Sequence, residues 1–290
     1  MSRRPRIVIV GAGLAGCRAA RTPARPARGR AEITLVDPTD YFPYLPPLPQ
    51  VAAGILAPRG TAGPLSGALH GVRTVLGEAG RIDLDGQTVH RTDPEGAAGS
   101  PGYERLLLTV GSVDKKSPVP GVAEHAYGFR GLPGALYLRD HVIRQIEPAA
   151  VAPDADLGAA RCTFVVAGAG YTGTELAAQM RMLTVDLARR NRLPHGVRQR
   201  RLLLDVAPRV LPGMDEKLSR TADRVLRRRG VASTPMAAQG RADLLLDAVL
   251  PRQGVQPGLV RSWSMPLDTA SPELSTAPEP VTDHPPEGAS

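Results

Sequence analysis

Cysteine is almost missing from this chain: Cys17 and Cys162 stand far apart and form no CxxC pair. That excludes a disulfide framework and points to a reducing compartment. Each thiol abuts an expected strand or glycine loop, the setting of a small buried side chain. Aromatic residues are only 3% of the 290 positions, so the cores that a 42% apolar share can build must be aliphatic. Long apolar runs are also lacking, and no stretch is long enough to span a bilayer. The first such run, in MSRRPRIVIVGAG, breaks into glycines too soon for a signal peptide and reads as a strand. Lysine is confined to positions 115, 116 and 217, so the net charge of +8 is carried by arginine. Those arginines are scattered without aromatic interleaving, and nucleic-acid binding is not expected. No metal site is expected either.

The chain is rich in glycine, and two short stretches repeat one design. RIVIV is β-branched, unalternated and bounded by glycine, the pattern of a buried strand. Gly11, Gly13 and Gly16 follow in GxGxxG spacing, and a helix is expected from about Leu14. Gly11 permits a tight turn, Gly13 lets the backbone approach a pyrophosphate, and Gly16 lets helix and strand pack closely. A second strand, EITLVD, ends in Asp37, where a carboxylate can accept from ribose hydroxyls. Pro23 and Pro26 fall where the helix should still run, so it is expected to stop near Thr22 or to be destabilised.

The second copy is TFVVAGAGYTGTELAAQM, with Gly168, Gly170 and Gly173. Its helix is expected through Met180 and on toward Arg190. The following strand, RLLLDV, carries Asp205 at its end, which favours a free 2′-hydroxyl and hence NAD over NADP, although Arg209 lies four residues on. Two such units in one chain suit a bound flavin dinucleotide facing a diffusible nicotinamide dinucleotide. Internal duplication with one site lost is the alternative.

Further motifs carry a resemblance. GVRTVLGEAGRIDLDGQTV reads as a hairpin-like strand set, followed by YERLLLTVGS, whose Thr109-Val110-Gly111 stands where two-dinucleotide-binding-domain flavoproteins carry an ATG motif. ITLVDPTDYFPYLPPLPQVAAGIL resembles the type II NADH dehydrogenase pattern of a strand-end acid followed by a loop near FQPLLYQVA, with Tyr44, Pro46 and Gln50 at matching positions. VPGVAEHAYGFRGLPGALYLRDHVIRQIE and DVAPRVLPGMDEKLSRTADRVLRRRGV resemble the family's linker with its lead-in helix and its second-domain strand and helix. The resemblance spans about residues 5 to 231. It implies an α/β fold of two Rossmann-like domains, at 1–118 for FAD and 119–240 for NAD(H), followed by a divergent, largely disordered tail at 241–290.

By matched position the resemblance implies that Gly11, Gly13, Gly16, Asp37, Pro46, Thr109, Gly111 and the backbone at Ala79 hold FAD. It implies that Gly168, Gly170, Gly173 and Asp205 hold NADH, with NADPH the lesser alternative. The resemblance implies catalytic positions at Glu175 and Gln50: Glu175 matches the acid of a GxTGxE segment near the nicotinamide, although an acid in a first helical turn is also favoured by the macrodipole alone. Gln50 matches a position beside the flavin, where loop packing would serve equally. The implied activity is hydride transfer from NADH to flavin and electron delivery to a quinone or another small acceptor. A soluble reductase serving ferredoxin or a small acceptor, and a truncated, non-catalytic nucleotide-binding remnant, stand as alternatives. The missing CxxC argues against a dithiol-based branch. The implied location is cytoplasmic, with peripheral contact at the cytoplasmic face of the membrane open. After Val231 the family pattern breaks off, and from about Ser262 the composition turns to Pro, Ser, Thr and acid.

Overall fold

The computed structural model describes residues 4–24, 31–112, 125–128, 130–235 and 258–261. Two parallel sheets organise them. The first has the order β5-β2-β1-β9, from β1 (Arg6–Val10), β2 (Glu32–Asp37), β5 (Arg73–Leu76) and β9 (Arg105–Leu108). Ile7 pairs with Ile33 and with Arg105, so β1 is central, and Val8, Ile9 and Val10 are buried on both faces as the unalternated pattern required. The second sheet has the order β10-β14-β11-β12-β13. Its strands are β10 (Ala126–Tyr127), β11 (Thr163–Ala167), β12 (Arg200–Asp205), β13 (Ala232–Pro235) and β14 (Gly258–Arg261). Leaving out the added edge strand β10, β13-β12-β11-β14 repeats the order of the first sheet strand for strand, so the duplication visible in the glycine loops extends to the topology.

The helix after β1, α1 (Leu14–Ala24), reaches two residues beyond Thr22, with Pro23 admitted in its last turn; Pro26 lies outside the described residues. β3 (Tyr41–Pro43), α2 (Leu48–Ala52), a 3₁₀ turn at Pro58–Thr61, β4 (Ala62–Pro64) and α3 (Leu65–Ala68) form an excursion between β2 and β5. The hairpin expected over residues 71–89 is corrected in part. β5 joins the parallel sheet beside β2, and only β6 (Glu78–Asp83), β7 (Thr88–Thr92) and β8 (Ala98–Gly99) are antiparallel. The switch is at Gly77, whose φ of +151° turns the chain out of the sheet while its N–H donates to the Asp37 carbonyl at 2.9 Å.

In the second half α4 (Leu132–Ala149), α5 (Ala155–Arg161), α6 (Tyr171–Arg190) and α7 (Glu216–Arg228) surround the sheet. α6 reaches the far limit expected of it. The N-caps Asp154 and Asp215 accept from Leu157 and Leu218 at 2.7 and 2.9 Å, fixing the starts of α5 and α7. The largest core joins both halves: Leu48, Val51 and Ala52 of α2 pack with Leu138 of α4 and Leu176 and Ala177 of α6. Two smaller cores flank the first sheet. Most of the tail at 241–290 lies outside the described residues, but Gly258–Arg261 within it is a strand between β10 and β11, in register with Phe164–Ala167.

Candidate functional site: two matched glycine cradles

Each cradle is assembled from the same contacts. Gly11 has φ +100° and Gly168 φ +104°, a region open chiefly to glycine. The Gly11 N–H donates to the Val36 carbonyl at 2.8 Å, and the Gly168 N–H to the Leu204 carbonyl at 2.7 Å. One residue on, the Ala12 N–H donates to Asp37 Oδ2 and the Ala169 N–H to Asp205 Oδ2, each at 2.5 Å. The other carboxylate oxygen accepts from the chain beyond the strand: Thr39 N–H to Asp37 Oδ1 and Ala207 N–H to Asp205 Oδ1, both at 2.8 Å. The strand-end acids therefore buckle the glycine loop to the crossover that follows the second strand. Asp37 Oδ1 accepts from the Thr39 hydroxyl as well, at 2.7 Å, so at Asp37 it is Oδ2 that keeps a lone pair for a further donor such as a ribose hydroxyl.

Space inside the first cradle is distributed unevenly. A Cβ on Gly16 would fall 1.8 Å from the Gly11 carbonyl oxygen, and one on Gly11 would fall 2.3 Å from the Thr109 carbonyl oxygen. Gly13 has nothing within 4 Å of its Cβ position, so the loop opens there onto free room. Gly170 caps α6 without a side-chain bond, leaving the first-turn amides of a long helix for an anion. Tight closure at the first and third glycines with space at the second is the arrangement a pyrophosphate needs, so the first cradle fits a dinucleotide, and the second shares its positive-φ first glycine and its carboxylate-held loop.

Thr109 and Gly111 follow β9 at the mouth of the first cradle. The Thr109 N–H donates to the Val10 carbonyl at 2.8 Å, and its hydroxyl lies 2.9 Å from that oxygen and 2.8 Å from the Gly11 carbonyl. Its side chain thus latches the loop. Gly111 has φ +74° and open space around it. Ala79 is half-buried on β6, next to a bulge, and packs with the cluster around Val36 and Val89. Pro46 is exposed in the loop before α2. Gln50, on α2, has its Oε1 buried without a hydrogen-bond partner, an acceptor that needs a donor. Glu175 lies exposed on α6 and makes no hydrogen bond or ion pair among the described residues. α2 rests against α6, so the helices bearing Gln50 and Glu175 are in contact.

Beside the second cradle a cavity of about 140 Å³ is lined by Asp205, Arg209, Arg220, Asp223, Arg227 and Ser233, among others. Burial pushes the Asp223 carboxyl upward. The hydrogen bonds from Arg227 and Ser233, with the Arg227 charge, outweigh it and hold the carboxyl below its ordinary value. Arg209 donates to the Pro212 carbonyl at 2.8 Å. The Asp205 and Arg209 pair was visible in the sequence. Arg220, Asp223 and Ser233 come from α7 and β13, whose approach to the loop no local pattern announces.

Both cysteines are buried and unpaired. The Cys17 thiol lies 3.1 Å from the Ala12 carbonyl, and burial raises it above its ordinary value. Burial pushes Cys162 up to about 11. Neither is poised as a thiolate. Among the described residues no group of His, Cys, Asp or Glu is placed to hold a metal ion, and no helix is long and apolar enough to cross a membrane.

Comparison with known proteins matches residues 5–242 to the family model described as pyridine nucleotide-disulphide oxidoreductase. The type II NADH:quinone oxidoreductase NdhA of Mycobacterium tuberculosis is 36% identical over 238 residues, 79% of this chain and 48% of that protein. The type II NADH:quinone oxidoreductase Ndh of the same organism is 34% identical over 233 residues, 79% of this chain and 50% of that protein. The chain thus spans about half the length of these curated relatives. Among solved structures, NDH2 from Plasmodium falciparum in complex with NADH superposes with a TM-score of 0.75 at 16% identity, covering 90% of this chain and 55% of that one, which is a likeness of fold. With a family match over most of its length and the dinucleotide cradle built twice, the chain belongs to the pyridine nucleotide-disulphide oxidoreductase family.

Proposed function

We propose that this chain forms the dinucleotide-binding body of an FAD-dependent NADH oxidoreductase, passing electrons on to a quinone or a similar small acceptor. The observation that carries the reading is the duplicated cradle, with equivalent hydrogen bonds at Ala12/Asp37 and Ala169/Asp205. The names of the relatives, NADH:quinone oxidoreductases, support the donor and the acceptor class. The reading gives residues 1–118 to the flavin unit and 119–240 to the nicotinamide unit.

When bound, flavin and nicotinamide supply the hydride and electron chemistry; this chain's residues bind and orient them. Gly11, Gly13 and Gly16 close around the first pyrophosphate, and Gly168, Gly170 and Gly173 around the second. Asp37 and Asp205 hold each loop and offer their remaining lone pairs to ribose. Thr109 positions the first loop, with Gly111 and the Ala79 backbone lining the same mouth. Pro46 and Gln50 stand on the excursion that this reading assigns to the flavin side. Glu175, exposed on α6 and unpartnered among the described residues, is assigned by this reading to the nicotinamide side. Cys17 and Cys162 are buried apart from each other and would supply no dithiol to the flavin. The reading places the protein in the cytoplasm or at the cytoplasmic face of a membrane.

The test is the isolated full chain. A yellow preparation with flavin absorbance, bleached by NADH without oxygen and restored by a quinone, is the expected result. A folded chain that stays colourless with added FAD refutes the flavin reading. Because the chain spans about half of its relatives' length, a second outcome is separately informative: flavin and NADH bound without turnover would mark a binding module whose acceptor site lies elsewhere.

A further inference from the structure

Next to the first cradle, the outer face of α1 borders a groove that runs from Leu14 toward the far end of the helix. Its volume is about 620 Å³, within the span of about 300–1,000 Å³ usual for small-molecule sites. Leu14, Cys17, Arg18, Arg21 and Thr22 recur at the spacing of one helical stripe and make one wall. Phe42 of β3, with Ala68 and Leu69 at the end of α3, makes the other.

Three features decide what such a groove accepts. Its floor and one end are apolar, and Leu14 is 56% exposed, an uncovered hydrophobic side chain with a concavity beside it. Arg18 and Arg21 are exposed, and neither has a hydrogen bond or an ion pair among the described residues. Among the described residues no carboxylate lines the groove, so the lining that is described carries positive charge at Arg18 and Arg21. The two guanidiniums lie one to two turns along the helix from Leu14, up to about 10 Å of axial rise, so the apolar and cationic ends are separated along one channel. A free dinucleotide would waste the apolar end, and a neutral quinone would leave the arginines unused. A flat bilayer surface does not enter a concavity between a helix and a hairpin.

We propose that this groove binds a single-chain anionic amphiphile, a fatty-acid carboxylate, with its acyl chain along Leu14, Phe42 and Leu69 and its head group between Arg18 and Arg21. Arginine suits that head group because its planar fork meets a carboxylate in two parallel hydrogen bonds. The proposal does not rest on the redox reading: its charged end, Arg18 and Arg21, lies one to two turns along α1 from Leu14, beyond the glycine-rich end.

The test is displacement of a fluorescent fatty-acid probe from the full chain by laurate below its micellar concentration. Dodecanol serves as the uncharged control and acetate as the tail-less one. Laurate should displace the probe at least tenfold more effectively than dodecanol, and acetate should not compete. Salt should weaken laurate binding. Arg18→Ala with Arg21→Ala should weaken laurate at least tenfold while the thermal melt stays unaltered, as both side chains are exposed and unpaired. A folded wild-type chain that does not take the probe overturns the proposal. So does equal displacement by laurate and dodecanol, or laurate binding unchanged in the folded double variant. Binding to intact anionic vesicles without binding of monomeric laurate would overturn it in favour of a membrane contact. Should the double variant fail to fold, the laurate-to-dodecanol ratio and the salt dependence of the wild type still decide.

Discussion

The first cradle makes opposite demands at two glycines three residues apart, and alanine substitutions separate them. At Gly16 an added Cβ meets the Gly11 carbonyl oxygen at 1.8 Å, the Thr109 hydroxyl at 2.6 Å and the Gly11 carbonyl carbon at 2.9 Å. The hydroxyl can rotate away; the peptide cannot. The gap must open by more than an ångström, which either lifts α1 from β1 or unseats the loop. Overpacking of this kind costs about 1–3 kcal/mol. With backbone as the obstacle the upper end applies, lowering Tm by roughly 6–12 °C at ~2–4 °C per kcal/mol. At Gly13 nothing lies within 4 Å, and its φ is not positive. There Gly→Ala restricts the unfolded chain and stabilises by about 0.4–1 kcal/mol. The new methyl, however, projects into the room left for a pyrophosphate. Gly16→Ala should therefore lose stability and flavin together, whereas Gly13→Ala should melt at or slightly above the wild type and lose the flavin alone. Thermal melts of the flavin-free chains with flavin content after reconstitution measure both. A Gly16→Ala chain that melts like the wild type, or a Gly13→Ala chain with full flavin, refutes the reasoning.

Asp205→Ala strips the acceptor from the Ala169 and Ala207 amides, at a cost of about 1–3 kcal/mol. With Arg209 and Arg220 still beside the cavity, the NADH-to-NADPH affinity ratio should also fall about tenfold, about 1.4 kcal/mol by titration of each nucleotide. His141 is buried among Tyr127, Tyr137 and Arg144, and burial first, then the Arg144 charge, lowers its pKa. Folding thus favours the neutral ring, so stability present above about pH 6.5 should decline as pH falls from there through the lower folded value; urea melts of His141→Phe should lack that limb. Leu176→Ala, at a fully buried position in the shared core, should cost about 2–5 kcal/mol in the same assay. Arg190→Ala, which breaks an exposed pair with Asp186, should cost no more than ~0.5 kcal/mol.

What could be read from the residues followed from how strictly local chemistry chooses them. The glycine triplets, the buried strands before them and the acids at Asp37 and Asp205 stand out because backbone sterics and strand periodicity leave few alternatives. The cradle geometry asks for more than spacing. That each acid binds the loop amides, or that the Thr109 hydroxyl turns onto the Gly11 carbonyl, depends on the approach of chain segments distant in sequence. β5 read as half of a hairpin because RTVL precedes turn-rich sequence, whereas the glycine that ends its parallel course does so through a long-range bond to Asp37. α2 has only five residues, with Pro49 admitted in its first turn, so it is too short to be stable by itself; burial against α4 and α6 holds it. Gly258–Arg261 is too short for periodicity to register, and its pairing between β10 and β11 is what defines it as a strand.

Leu48, Val51 and Ala52 act as a knob set by the first half of the polypeptide into a socket made by the second. Severing the halves anywhere between β9 and α4 would leave one fragment with a bare greasy knob and the other with a hollow socket, so neither should be recovered as a tractable protein. Exchange of halves between relatives would face the same restriction: knob and socket must travel as a matched set, and Ala169 of the second nucleotide loop belongs to that core.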